Sequence, residues 1–184
     1  MFRDILYKFG FGYVWLMQDV GDSRIFMQHF KLRLSDNLKQ NWYESIESLS
    51  LSFSYKHYKS LLHIESYLSL SVSPYLRSLL AKFRCSNFGL HIETGRYTNI
   101  PHEERLCPYC KLVGKYFIED EIHVLFICKL YDDVRNKLIT PYLKSTDNNV
   151  NLIYILGNTN TDVQTNLCHF LKHVSKNRKS VSSM

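Results

Sequence analysis

The chain has 184 residues, 45% of them hydrophobic and 22% charged, which fits one or at most two globular domains with a real core and makes disorder not the default. Lys plus Arg number 23 against 17 Asp plus Glu, and the net charge of +6 favours an anionic partner without identifying one. Five cysteines, an odd number, do not complete a disulfide framework and suit metal-bound thiolates in a reducing compartment.

The run from Phe9 to Met17 is too short to span a bilayer, and Arg3, Asp4 and Lys8 spoil a secretory signal. The expectation is a soluble intracellular protein, nuclear or cytoplasmic, with no membrane partner and no disulfide. From Met1 to Val20 aromatic residues alternate with Gly10, Gly12 and Val14, a pattern that does not separate helix from strand. Gly10-x-Gly12 lacks the third glycine of a dinucleotide fingerprint, so the segment reads as an anchor for the next helix.

That helix is expected from Asp22 or Ser23 to Ser48, because Phe26, Phe30, Leu34, Leu38, Trp42 and Ile46 recur every four residues. Spacing of four drifts around a helix of 3.6 residues per turn, so the apolar stripe should wrap and meet more than one partner. Its polar face, with Lys31, Arg33, Lys39 and Gln40, reads as solvated rather than as a nucleic-acid groove. Ser48, Ser50, Ser52 and Ser54 mark a loop, or a short strand if their alternation with Leu49, Leu51 and Phe53 is used. Short helices follow over Tyr55 to Leu62, Ile64 to Leu70 and Pro74 to Cys85, the last with proline in its first turn.

The most informative stretch is Cys107-Pro108-Tyr109-Cys110, followed after twelve residues by His123 and then Cys128, a C-x2-C-x12-H-x4-C pattern. A structural zinc ion takes four tetrahedral sulfur or nitrogen ligands, and a C-x2-C turn lets two thiolates face one point. Pro108 stiffens that turn, and Gly114 supplies the positive φ its exit needs. The second ligand pair should lie on a short helix capped by Asp120. Since residues five apart diverge around an α-helix, that helix should end near Cys128. The competing readings are a buried apolar segment with incidental cysteines, and a site in which His102 replaces His123.

Around this motif Lys82, Arg84, Arg96, Arg105, Lys111 and Lys115 interleave with Tyr97 and Tyr109, a combination that suits phosphate contacts and base stacking but also an ordinary charged surface. Further on, Leu130, Val134 and Leu138 predict a helix stopped by Pro141. Tyr131-Asp132-Asp133 falls inside it, not on the hairpin of a polymerase site. A short apolar piece, Leu152 to Leu156, precedes a last helix with Thr161 and Gln164 as its capping box. A basic tail then carries Lys172, Lys176, Arg178 and Lys179.

The runs Leu80 to Arg84, Leu90 to Tyr97, Glu104 to Cys110 and Glu119 to Cys128 together resemble the zinc-binding region C-terminal to the reverse transcriptase domain of non-LTR (LINE-like) retrotransposons. The resemblance implies Cys107, Cys110, His123 and Cys128 as the ligands of Zn2+, and a module that helps hold an RNA or DNA template. It comes without a polymerase palm, a catalytic carboxylate hairpin or an endonuclease domain, and so implies a fragment or co-opted remnant. The resulting expectation is a mainly α chain with a small CCHC zinc knuckle between helices. It divides into a helical region (1–86), the zinc module (87–140) and a C-terminal helix with basic tail (141–184). Its function is non-catalytic nucleic-acid binding, with a structural or protein-interaction domain as the alternative. A zinc deaminase, suggested by His91-Ile92-Glu93 before the C-x2-C, is disfavoured because Leu106 stands where a proline is required.

Overall fold

The computed structural model describes residues 1–48, 55–59 and 61–182, with side chains as far as Arg178. The expected serine loop or strand over residues 49–54 lies outside the described residues. The chain divides into two compact units, Met1–Leu49 and Ser50–Met184. The expected boundaries at 86 and 140 both fall inside the second unit, where the metal-ligand segment shares one core with the helices on either side of it.

In the first unit, α1 (Phe2–Lys8) and α2 (Gly12–Met17) resolve the ambiguous aromatic segment as helix. Gly10, at φ 81°, makes the turn between them that a side chain would disfavour. Leu6, Phe11 and Val14 are buried against Phe26 and Phe30 of α3 (Ser23–Ser48), and the Phe11 and Phe26 rings meet edge to face at 5.4 Å. Asp22 Oδ1 caps α3 by accepting from the amides of Arg24 (2.8 Å) and Ile25 (3.2 Å). Beyond its first turns α3 keeps apolar side chains in solvent: Leu38 of the expected stripe and Leu32 outside it are each 61% exposed, so the stripe is not fully covered.

The second unit is a helical bundle without strands among its described residues; its one β-type pairing is the isolated bridge between Leu106 and Ile118. After α4 (Tyr55–Tyr58) and a 3-10 turn (Ser66–Ser69), α5 (Pro74–Arg84) starts where Ser73 Oγ accepts the Leu76 amide and Pro74 takes the first turn. Its stripe of Leu76, Leu79, Leu80 and Phe83 is buried under α10 (Thr161–Ser182), which contributes Leu167, Phe170, Leu171 and Val174. Between them run α6 (His91–Tyr97), α7 (Pro108–Leu112), α8 (Asp132–Leu138) and α9 (Asn148–Gly157). α10 begins on Asn160, whose Oδ1 accepts from Asp162 and Val163, and not on the predicted Thr161; Gln164 is buried and donates to Ser66 and to the Asn158 carbonyl. The expected frayed tail is helical as far as Ser182.

Candidate metal centre

The segment before the first ligand is pinned by backbone. The Cys107 amide donates to the Phe117 carbonyl at 2.8 Å and the Glu119 amide to the Arg105 carbonyl at 2.9 Å, so the chain leaves Leu106, turns through α7 and returns beside itself. Cys107 precedes Pro108 at the head of α7, and Cys110 follows one turn later. Gly114, at φ 72°, closes the exit as expected, with the Lys115 amide donating to the Cys110 carbonyl at 2.8 Å.

The other two ligands bracket a π-turn, His123–Ile127, which His123 opens and Cys128 follows; Asp120 precedes it, and its Oδ1 accepts the His123 amide at 2.7 Å. On an α-helix His123 and Cys128 would diverge. The wider π-turn closes with the Cys128 amide on the His123 carbonyl at 2.8 Å, and Cys128 then leaves in extended backbone with its sulfur turned back to the cluster. Arg135, 6% exposed, stitches this turn from below: Nε donates to the Leu125 carbonyl at 2.7 Å and Nη2 to the Cys128 carbonyl at 2.6 Å. Asp132 pairs with the same guanidinium, which gives the first aspartate of Tyr131-Asp132-Asp133 a structural task at the start of α8.

The four ligand atoms lie within 4.8 Å of one another, the one such His/Cys/Asp/Glu group found among the described residues in which they converge. Sγ of Cys128 is 3.9 Å from Sγ of both Cys107 and Cys110, and Cys110 Sγ is 3.4 Å from His123 Nε2. A tetrahedral ion with thiolate bonds near 2.3 Å and imidazole bonds near 2.05 Å requires edges of about 3.8 Å between sulfurs and about 3.6 Å from sulfur to nitrogen. These three separations lie close to those edges, the remaining pairs lie within 4.8 Å, and the sulfur distances are far too long for a disulfide. All four residues are at most 3% exposed. The cavity beside Cys107 and Tyr109 has only about 10 Å³, room for no more than one water.

Electrostatics fit a cluster waiting to exchange protons for a cation. The Cys128 thiol hydrogen-bonds the Cys107 sulfur and pulls its pKa down to about 4, while that same bond and burial push Cys128 up. Burial raises Cys110 to about 11. The imidazole of His123 stacks on the Phe117 ring at 5.4 Å, and its Nδ1 is buried without a hydrogen-bond partner among the described residues.

His91 and Glu93 do not join the cluster. His91 Nδ1 lies 2.7 Å from the Leu106 carbonyl, and Glu93 caps α6 by accepting the amides of Gly89 (2.5 Å) and Leu90 (3.1 Å). His102 sits in an exposed 3-10 turn away from the ligands.

The predicted basic surface divides. Lys82, Lys111 and Lys115 are exposed, and Tyr97 is 84% exposed. Arg84 is a correction: at 4% exposure it stacks between Tyr58 (4.7 Å) and Tyr67 (5.2 Å), pairs with Glu65 at 2.8 Å and donates to the Leu156 carbonyl. Such a guanidinium cannot reach a phosphate. Arg105 is half-buried, with Nε on the Ile100 carbonyl (3.0 Å) and Nη1 on the Ile92 carbonyl (3.2 Å). Tyr109 is half-buried against the core, and Arg96 is half-buried beside a separate cavity.

Residues that the sequence reading missed complete the support. Glu119, 2% exposed, accepts the His91 amide through Oε2 at 2.8 Å and pairs through Oε1 with Arg178 of α10, which also donates to the Gly89 carbonyl at 2.5 Å. Glu119 and Arg178 are 59 positions apart, and no local pattern links them. No described helix is long and apolar enough to cross a membrane. Compared with known proteins, the chain matches no family model, no curated protein and no solved structure.

Proposed function

We propose that the chain is a non-catalytic, zinc-stapled nucleic-acid-binding module that works inside the cell. The observation that carries the metal part is the buried Cys107–Cys110–His123–Cys128 cluster, whose ligand atoms converge within 4.8 Å. Three thiolates and one imidazole are a ligand set that suits Zn2+, and four protein ligands are the number a structural ion takes. Because the ligands come from two separate segments, the binding free energy of the ion becomes folding free energy for the segment between them. A reducing compartment keeps the three thiols available.

The nucleic-acid part is supported by Lys82, Lys111, Lys115 and Tyr97, all exposed, and by the resemblance of the ligand spacing and its flanks to the C-terminal zinc region of retrotransposon reverse transcriptases. Exposed cations release counterions on phosphate contact, and an exposed ring offers a stacking platform. A second reading, in which zinc only stabilises a protein-interaction domain, draws on the exposed Leu32 and Leu38 of α3.

One experiment separates them. The purified chain is assayed for bound metal and titrated at several salt concentrations against single-stranded RNA and duplex DNA. Stoichiometric zinc with affinity that falls steeply with salt supports the proposal. Zinc without binding at low salt leaves the interaction domain, and absence of zinc overturns the metal assignment.

A further inference from the structure

A cavity of about 580 Å³ opens in the second unit between α6, α9 and the segment that enters the π-turn, a size that suits a small ligand. Ile92, Ile122, Leu152 and Ile153 give it an aliphatic lining, the kind of surface that accepts a flat ring. Glu121 stands in its wall with Oε1 held by the Ser86 hydroxyl at 2.8 Å, which fixes the orientation of the carboxylate. Asp120 also lines the cavity, but its Oδ1 is committed to the His123 amide. Arg96, His57 and His102 also line the cavity.

We infer that this cavity takes a guanine base, either unpaired in a single strand or as a free nucleotide, an occupant whose choice rests on the nucleic-acid reading above. The two oxygens of a carboxylate are acceptors only and match the adjacent N1–H and N2–H donors of guanine. Adenine and cytosine place a ring acceptor beside their exocyclic amine, and uracil flanks its single N–H with carbonyls, so each sets a lone pair against Glu121. The aliphatic lining receives the faces of the purine, and the guanidinium of Arg96 in the same lining suits the phosphate side, where the charge is negative.

The test uses the whole metal-loaded chain. Calorimetric titration with GMP, AMP, CMP and UMP is paired with titration by a short oligouridine with or without one central guanosine. GMP should bind at least about tenfold tighter than the other nucleotides, in line with one bidentate contact. Glu121→Gln keeps an oxygen for Ser86 but turns an N–H towards the base, and should lose roughly tenfold to a hundredfold of the guanine preference. Ile153→Trp, at a position 38% exposed, should fill the cavity and abolish GMP binding, with metal content confirming that both variants are folded.

A gain in affinity from the central guanosine assigns the pocket to a strand, and GMP binding without that gain assigns it to the free nucleotide. Either outcome upholds the pocket. No GMP binding, equal binding of all four nucleotides, or a preference that survives both substitutions overturns it. Failure of oligouridine to bind at low salt counts against the nucleic-acid reading alone, because the GMP arm still decides the pocket.

Discussion

The amide of Cys128 donates to the carbonyl of His123 at 2.8 Å, a five-residue hydrogen bond that turns two positions an α-helix would separate into neighbours on one metal site. The ligands therefore depend on this local widening as well as on their own identity. Cys110→Ser or His123→Ala should lose the metal and leave the segment between α5 and α8 poorly packed, because the ion's binding free energy holds the two ligand pairs together. His91→Ala should retain the metal, since its ring meets the Leu106 carbonyl and no ligand. Metal analysis together with amide hydrogen exchange checks both; metal loss in the His91 variant with retention in His123→Ala would reverse the assignment.

Uptake of zinc should release protons. Without metal at neutral pH, Cys107, lowered to about 4 by the hydrogen bond from Cys128, is a thiolate, whereas Cys110, raised to about 11, and Cys128, also raised, keep their protons. All three must be thiolates to hold the ion, so binding displaces about two protons near pH 7. Affinity then falls as pH is lowered, by about a hundredfold per unit while Cys107 remains ionised. Competition against a chelator at pH 6 and 7, and indicator titration in weak buffer, measure this; pH-independent affinity would contradict the protonation pattern.

The sequence shows much of this fold. Pro74 as a first-turn residue and the four-residue spacing that starts after Asp22 are local signals, and they place α5 and α3 within a residue or so. The four ligands are legible because metal spacing is also local. Arg84 was misplaced although its position gives a clue: residues 76, 80 and 84 share one helix face, which makes Arg84 the continuation of the buried stripe. The π-turn and its support are different. They depend on Arg135 reaching the carbonyls of Leu125 and Cys128, and on Arg178 reaching Glu119 from the last helix, and pairings between a side chain and a carbonyl or a distant carboxylate leave no periodic trace.

Arg135 should matter to the metal without touching it. Arg135→Ala strips donors from the carbonyls of Leu125 and Cys128, and each charged hydrogen bond lost from a buried site costs about 1.5 to 3 kcal/mol. Stability should fall by several kcal/mol and metal affinity by about ten- to a hundredfold, as for other groups that orient ligands. Arg178→Ala should act in the same direction, since it leaves the buried Glu119 carboxylate without its cation, at a cost of about 3 to 5 kcal/mol. Thermal unfolding with and without excess zinc reads both effects; parent-like melting and metal affinity in Arg135→Ala would remove it from the support of the site.

The division of the basic residues into exposed and buried sets predicts two kinds of binding phenotype. Lys111 and Lys115 extend from the exit of the knuckle into solvent, so replacing either with alanine should lower the log-log salt slope by about 0.9 on duplex DNA and about 0.7 on single strands, with zinc retained. Arg84→Ala should leave the slope unchanged and lower the melting temperature, because Arg84 spends its charge on Glu65 and the Leu156 carbonyl. The tyrosines should divide in the same way. Tyr97, 84% exposed, can stack on a base, and Tyr97→Ala should cost about 1 to 3 kcal/mol of single-strand affinity with little change in slope. Tyr109 packs against the core, so Tyr109→Ala should appear chiefly as lost stability. Salt titrations on these variants, each checked for metal content, decide the matter: parent-like slopes in both lysine variants together with parent-like affinity in Tyr97→Ala would move the interface away from the knuckle.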